Sequence, residues 1–384
     1  MGRLRELYLY RSGIKELPGS IGYLESLENL NLSYCSNFEK FPGIQGNMKC
    51  LKKLSLEHTA IKELPNSIGC WQALPSLEIL TLSGCSNFER FPEIQKNIGN
   101  LQALLLDGTA IKGLPCSIGH LTELYSLDLE NCRNLRSFPD SVCGLKSLKG
   151  LSLNGCSNLE GFSEIMEDME QLKHLFFLHE TCITELPSSM EHLRGLESLK
   201  LINCENLVAL PSSIGSLTCL TSLSVRNCTK LHNLPDNLWS LQCCLTSLDL
   251  GGCNLMEGEI SSDLWCLSSL QFLDVSNNRI RCIPAGITQL SKLQALLMNY
   301  CLMLEEIGEL SSSLRERGTW LSTPGNWNFL KTTLVFSAQT LQITNSGINF
   351  MAYLFFIFYF LFKKKYRRFT WHFSAGGVEN FSDI

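Results

Sequence analysis

One hydrophobic pattern recurs along most of the chain. Leu-x-x-Leu-x-Leu, with a few aliphatic swaps at its third position, begins at Leu4, Leu27, Leu51, Leu77, Leu101, Leu124, Leu148, Leu172, Leu196, Leu220, Leu245, Leu270 and Leu293. These thirteen starts are 23 to 26 residues apart, most often 24. In Leu27-Glu28-Asn29-Leu30-Asn31-Leu32 the last two leucines are two apart, the period of a strand with one buried face. A turn follows, then a second apolar set such as Phe38 and Phe41, then usually a proline, as at 18, 42, 65, 92, 115, 139, 187, 211, 235 and 284. Proline fixes φ and removes a donor, so it ends the extended piece and discourages a long helix. In Ser20-Ile21-Gly22-Tyr23-Leu24 the apolar positions are three apart, which suits a brief 3₁₀ or α turn.

One such unit cannot bury its leucines alone, whereas a stack of them makes a continuous core. The period and wording predict an α/β leucine-rich-repeat solenoid of about thirteen repeats. Its expected form is a curved horseshoe, with a parallel β-sheet on the concave face and short 3₁₀ or irregular segments on the convex face. The predicted organisation is a solenoid over 1–310, a poorly ordered non-repeat linker over 311–349 and an apolar, basic tail over 350–384. Three places break the rhythm. The repeat at Leu172 carries one extra residue, Trp71-Gln72-Ala73 lengthens the repeat at Leu51, and the stretch from Cys253 to Ile260 lacks the usual proline.

The solenoid reading also explains most of the 18 cysteines. Cys35, Cys85, Cys132, Cys156, Cys204, Cys228, Cys253 and Cys301 each lie eight residues after a motif's first leucine. Ser12, Thr59, Thr109 and Asn278 hold the same place, and Thr181 lies one residue later in its lengthened repeat. A small inward side chain with a polar atom can satisfy backbone groups that the turn exposes. These positions are therefore expected to form a structural ladder of reduced thiols. No Cys-x-x-Cys spacing supports a metal site.

Composition narrows the function. The net charge of −5 and the lack of Lys/Arg clusters in the repeats argue against nucleic acid as a partner. Met1-Gly2-Arg3-Leu4 runs straight into repeat wording without an apolar leader. That points to a cytoplasmic or nuclear location, or to a natural N-terminus lying upstream. Residues 350–362 form an unbroken apolar and aromatic run, followed by Lys363-Lys364-Lys365-Tyr366-Arg367-Arg368. At 13 residues it is short of the roughly 20 that span a bilayer. Its readings are a membrane or interfacial anchor through 350–368, a buried or partner-bound segment, and translated non-coding sequence. The seven histidines are scattered, with His120 and His192 at matching places that suggest surface positions, and no carboxylate pair or nucleophile stands out. The chain reads as a non-enzyme without a cofactor.

The expected working surface is the concave strand face. The side chains assigned to it are Tyr8, Tyr10, Asn31, Tyr34, Lys53, Glu57, His58, Leu105, Asp107, Asp128, Glu130, Lys200, Arg226, Asp249, Phe272, Asp274 and Tyr300. Tyr8, Tyr10 and Tyr34 start an aromatic patch, and Asp107, Asp128 and Glu130 make the middle acidic.

Two repeat wordings alternate early in the chain. One is Leu82-Ser83-Gly84-Cys85-Ser86-Asn87-Phe88-Glu89-Arg90-Phe91-Pro92. The other is Leu106-Asp107-Gly108-Thr109-Ala110-Ile111-Lys112-Gly113-Leu114-Pro115, followed by Ser117-Ile118-Gly119. This alternation, with Leu264-Trp265-Cys266-Leu267-Ser268-Ser269-Leu270, resembles the repeat region of plant intracellular disease-resistance receptors with a Toll/interleukin-receptor-type and a nucleotide-binding domain. The resemblance covers roughly residues 1–315. It implies protein partners: a pathogen effector, a guarded host protein, or the receptor's own nucleotide-binding domain, which the repeats restrain. No Gly-x-x-x-x-Gly-Lys-Ser/Thr loop occurs, so the chain is expected to lack that domain's phosphate cradle. A free-standing intracellular scaffold and, more weakly, an extracellular receptor ectodomain remain as alternatives.

Overall fold

A computed structural model describes residues 3–307, apart from 70–73, 96–99, 179–180, 233, 257–261 and 284. The chain divides into two units, Met1–Asn326 and Trp327–Ile384, and every described residue lies in the first. The linker and the apolar tail expected after 310 lie outside the described residues, as do Trp71-Gln72-Ala73.

The strands fall where the leucine pattern puts them. They are Glu6–Tyr8 (β1), Asn29–Asn31 (β2), Lys53–Ser55 (β3), Ile79–Thr81 (β4), Ala103–Leu105 (β5), Ser126–Asp128 (β6), Gly150–Ser152 (β7), His174–Leu178 (β8), Ser198–Ile202 (β9), Ser222–Ser224 (β10), Ser247–Asp249 (β11), Phe272–Asp274 (β12), Cys282–Ile283 (β13), Ala295–Leu297 (β14) and Glu306–Ile307 (β15). Thirteen of them form one parallel sheet in sequence order from β1 to β12 and then β14, while β13 and β15 pair separately. The chain is a leucine-rich-repeat solenoid. Its register stacks like on like: Leu30 faces Leu54, Leu54 faces Leu80, and the row continues to Leu273 and Leu296. Leucines of this row from Leu30 onward are buried, each contributing roughly 1.5–3 kcal/mol before the cost of ordering is counted.

The two repeat wordings are two turn geometries. Where Cys holds the ladder, the next inward apolar residue usually comes three positions on, and its N–H donates to the Cys carbonyl. Phe38 N to Cys35 O, Phe88 N to Cys85 O and Leu135 N to Cys132 O are each 2.9–3.0 Å. Where Thr holds it, the buried residue comes two positions on, as Ile61 after Thr59 and Ile111 after Thr109. The Thr hydroxyl then donates to a carbonyl of its own repeat, Thr59 to Leu56 at 2.8 Å and Thr109 to Leu106 at 2.7 Å. The Cys of the following repeat donates to that same carbonyl, Cys85 to Leu56 O at 2.9 Å and Cys132 to Leu106 O at 3.1 Å. One carbonyl with two lone pairs thus accepts both donors. Ser12, Thr59, Thr109 and Thr181 also sit 3.2–3.3 Å from the sulfurs of Cys35, Cys85, Cys132 and Cys204. Cys35, Cys156, Cys228, Cys253 and Cys301 likewise donate back to the preceding repeat.

Cys253 is the exception that accounts for one irregular stretch. Its next buried residue, Leu255, follows after only two positions, and Leu255 N donates instead to Asn278 Oδ1 at 2.9 Å. Asn278 Nδ2 donates to Leu250 O and Val275 O, both at 2.9 Å. Only an amide, with donors and acceptor together, can bridge the two repeats there.

Burial disfavours a thiolate at Cys85, Cys132, Cys156, Cys253 and Cys301, pushing Cys132 up to about 11 and Cys156 and Cys253 up to about 12. Exposed Cys50, Cys116, Cys182, Cys219, Cys243 and Cys266 provide an internal contrast. With an aromatic disulfide reagent the exposed set labels in the native protein, whereas the eight ladder thiols label only on unfolding. Rapid native labelling of the ladder would contradict its packing.

Opposite the sheet, Pro18, Pro139, Pro211 and Pro235, all extended, lead into 3₁₀ turns at Gly19–Tyr23, Asp140–Gly144, Ser212–Ser216 and Asp236–Cys243. Polar side chains pin two further such turns, Ile118–His120 and Met190–His192, to the preceding repeat. Ser117 Oγ donates to the Glu93 carboxylate and accepts from Ile94 N, and Ser189 does the same with Glu164 and Ile165 N. His120 Nδ1 lies 2.9 Å from Ile94 O, and His192 Nδ1 lies 2.8 Å from Asp168 Oδ1. The sequence suggests surface positions for both histidines. Each is in fact half-buried and joins two repeats, because the motif spacing sets the ring beside the previous turn.

Candidate functional site

The register defines the strand face. In each repeat the residues flanking the middle leucine, such as Ser126 and Asp128 about Leu127, project from it, and so does the residue two further on, here Glu130. The next residue enters the left-handed region: Arg11, Tyr34, His58, Asn131, Asn203, Asn227, Asn277 and Tyr300 have φ between 51° and 64°. Gly84, Gly108, Gly155 and Gly252 occupy the same row at φ of 67° to 72°. Asn and Gly tolerate this conformation, whereas Arg, Tyr and His hold it at a cost.

Three of those costly residues, Arg11, Tyr34 and His58, form a connected group with Tyr10 near β1–β3. The Tyr10 and Tyr34 rings meet edge-on at 5.3 Å, and Tyr34 stacks on His58 at 4.6 Å. The Arg11 guanidinium lies 5.2 Å from the Tyr10 ring centre and 5.4 Å from that of Tyr34. Gly84 leaves the space in which the His58 ring lies, since a Cβ there would overlap it. Tyr8 accepts a hydrogen bond from Asn29 Nδ2 at 3.1 Å and is 55% exposed.

The middle of the face is acidic. Ser83 donates to Asp107, and Thr81 donates to Glu57 Oε1 at 3.2 Å. Asp128 Oδ1 accepts from Glu130 N at 2.9 Å, while Glu130 Oε1 accepts from Ser152 Oγ at 2.6 Å and Asn154 Nδ2 at 2.7 Å. Burial raises the Asp128 carboxyl above the usual carboxylate range, and the charges of Asp107 and Glu130 push the same way. Among the described residues none of Glu57, Asp107, Asp128 and Glu130 makes an ion pair.

Beyond β7 the charges are compensated internally. Lys200 Nζ sits 5.2 Å from the Phe176 ring centre, and Phe176 stacks on His174 at 5.8 Å. Arg226 Nη1 reaches Asp274 Oδ2 at 2.7 Å and Asp249 Oδ1 at 3.5 Å.

Most of the residues predicted for this face project from it. Tyr8, Tyr10, Tyr34, Lys53, His58 and Tyr300 are exposed. Asn31, Glu57, Leu105, Asp107, Asp128, Glu130, Lys200, Arg226, Asp249 and Phe272 are half-buried. Asp274 departs from the expectation of an open surface residue. It is 3% exposed, because Arg226 and the Ser276 N–H enclose its carboxylate. His174 and Phe176 belong on the face but were not singled out in the sequence, although they flank Leu175 as Ser126 and Asp128 flank Leu127. The left-handed row was also missed, and its signal is the recurrence of Asn or Gly just before the ladder residue. Among the described residues no His, Cys, Asp and Glu group could hold a metal ion, and no helix is long and apolar enough to cross a membrane.

The family described as "Disease resistance protein RPS4B-like, leucine-rich repeats" matches residues 73–149 and 144–316, more than half of the chain. The chain belongs to this family of disease-resistance leucine-rich repeats. Among curated relatives, TMV resistance protein N of Nicotiana glutinosa is 39% identical over 72 residues. The match spans 19% of this chain and 6% of that protein's length. The Drosophila Toll–Spatzle complex matches with a TM-score of 0.50 at 17% identity, over 89% of this chain and 49% of that one. The leucine-rich repeat domain of the type III effector XopL gives 0.46 at 24% identity, over 64% and 75%. Disease-resistance repeats on a solenoid of this kind make the chain a protein-interaction module.

Proposed function

We propose that the chain is the recognition module of a plant disease-resistance receptor, acting in the cytoplasm or nucleus. Its strand face holds a pathogen effector or a host protein that an effector has altered. In the resting state the repeats restrain a nucleotide-binding domain, and occupancy of the face relieves that restraint. The observation that carries this reading is the set of aromatic side chains Tyr8, Tyr10, Tyr34, Phe176 and Tyr300 on the strands and following turns of one face, since aromatic anchors are what protein recognition uses. Family membership and the resemblance to TMV resistance protein N support the same assignment.

The test is a photo-crosslinking amino acid placed at position 128 or 176 on the strand face, or at 23 or 166 away from it, in chains expressed in plant cells. The expected result is a protein captured at 128 and 176 whose identity or yield changes on pathogen challenge. Capture confined to 23 and 166, or capture indifferent to challenge, would overturn the proposal.

A further inference from the structure

The two halves of the strand face treat charge differently. On the outward positions of β4 to β7 and the turns that follow them, the charged side chains are Asp107, Asp128 and Glu130, all carboxylates. Glu57 precedes them on the turn after β3. Their bonds to Ser83, Thr81, Ser152 and Asn154 orient the oxygens without neutralising them. Lys53 and Arg11 are the nearby cations of the face. Arg11 is engaged over two tyrosine rings, and Lys53 lies at the start of its strand, two residues on the far side of Ser55 from Glu57. In the other half Arg226 neutralises Asp249 and Asp274 directly. Among the described residues, the carboxylates of this face are ion-paired only past β7.

A second observation lies at the β1–β3 end of the same face. Ser33 occupies the row that runs Tyr10, Ser33, Glu57, Ser83, Asp107, Glu130. It is 2% exposed, and its hydroxyl has no partner among the described residues. Asn29 Oδ1, beside Tyr8, is likewise unpartnered. Buried polar atoms without partners are uncommon, and these two await a donor next to the tyrosines.

We propose that the half of the strand face from β1 to β7 binds an extended, lysine- or arginine-rich segment of a partner protein, with an aromatic residue at the end that meets Tyr8, Tyr10 and Tyr34. The inference rests on the strand-face recognition proposed above and names the chemistry recognised. Neighbouring strands lie about 4.8 Å apart, so the five steps from Tyr10 to Glu130 span about 24 Å, the length of about seven extended residues. Alternate side chains of such a segment recur about every 6.7 Å, so cations at alternate positions fall within reach of Glu57, Asp107 and the Asp128–Glu130 pair. A nucleic-acid strand is repelled by the same carboxylates.

The test is selection of phage-displayed random octapeptides on the immobilised full chain. Enriched peptides are expected to carry Lys or Arg at alternate positions and an aromatic residue towards one end. Their binding should weaken as salt is raised. The triple variant Asp107→Asn, Asp128→Asn, Glu130→Gln keeps one acceptor oxygen in each side chain and removes the charge. It should weaken a selected peptide about tenfold or more, while Glu123→Gln, Glu160→Gln, Glu185→Gln, equal in charge but off the face, should leave it unchanged. Neutral or acidic peptides that depend on Tyr8 and Tyr34 would overturn the inference and leave strand-face recognition standing. Peptides indifferent to every strand-face substitution would overturn both. No enrichment over a blank surface would overturn the inference.

Discussion

An Asn278→Leu chain is expected to lose about 3–5 kcal/mol of unfolding free energy, the largest effect of any single ladder substitution. Asn278 is 3% exposed, and its side chain closes bonds to Leu250 O, Val275 O and Leu255 N at 2.9 Å each. Leucine fills a similar volume but leaves the Leu255 donor and the Leu250 acceptor dry and unpaired. Each orphan costs about 1–3 kcal/mol. Asn278→Ser should fall between the two, because a hydroxyl can serve one of these groups but cannot span both repeats. Urea denaturation followed by circular dichroism measures the loss. Hydrogen exchange should place it in the repeats around β11, β12 and β14, as nearest-neighbour coupling in a solenoid requires. An unchanged denaturation midpoint would show that the ladder is not what closes these turns.

Gly119→Val should destabilise the opposite side of the solenoid by about 1–3 kcal/mol, towards the upper end of that range. A Cβ at Gly119 would severely overlap the Ser141 carbonyl oxygen and would lie 3.3 Å from the Gly144 Cα of the same turn. The obstacle is backbone of the next turn, so no side-chain rotation relieves it. The Gly of Ser117-Ile118-Gly119 therefore marks where successive 3₁₀ turns touch. The same wording recurs at Ser20-Ile21-Gly22 and Ser213-Ile214-Gly215, whose glycines also face a neighbouring carbonyl oxygen. Gly13→Val is the control, since nothing lies within 4 Å of a Cβ there. A Gly119→Val chain as stable as the parent would mean that these turns are free to part.

These two residues illustrate what the sequence makes legible. Leucine spacing alone places the strands, because one row of side chains must be buried at period two and the repeats must stack. The ladder positions follow from the same count. The difference between Cys and Thr turns does not, since it depends on which carbonyl of the previous repeat each donor reaches. The burial of Asp274 depends on Arg226, 48 residues earlier and two strands away, and no local pattern encodes that pairing. His174 and Phe176 are within reach of the flanking rule about Leu175, but the run His174-Leu175-Phe176-Phe177-Leu178 has apolar residues in both alternating sets, which blurs the face each takes. The cluster of Arg11, Tyr10, Tyr34 and His58 required the left-handed backbone that turns these side chains towards one another.

The account stands on the strand face being the surface that recognises. The most direct measurement is the affinity of the partner captured at position 128 for two triple variants matched in number of changes. Tyr8→Ala, Asp128→Asn, Phe176→Ala strips the face, whereas Tyr23→Ser, Met166→Ser, Val208→Ser strips exposed apolar groups elsewhere. The face variant is predicted to bind at least about tenfold more weakly, a loss of about 1.4 kcal/mol, with the other variant unchanged. Undiminished binding by the face variant, with loss in the other, would contradict the account.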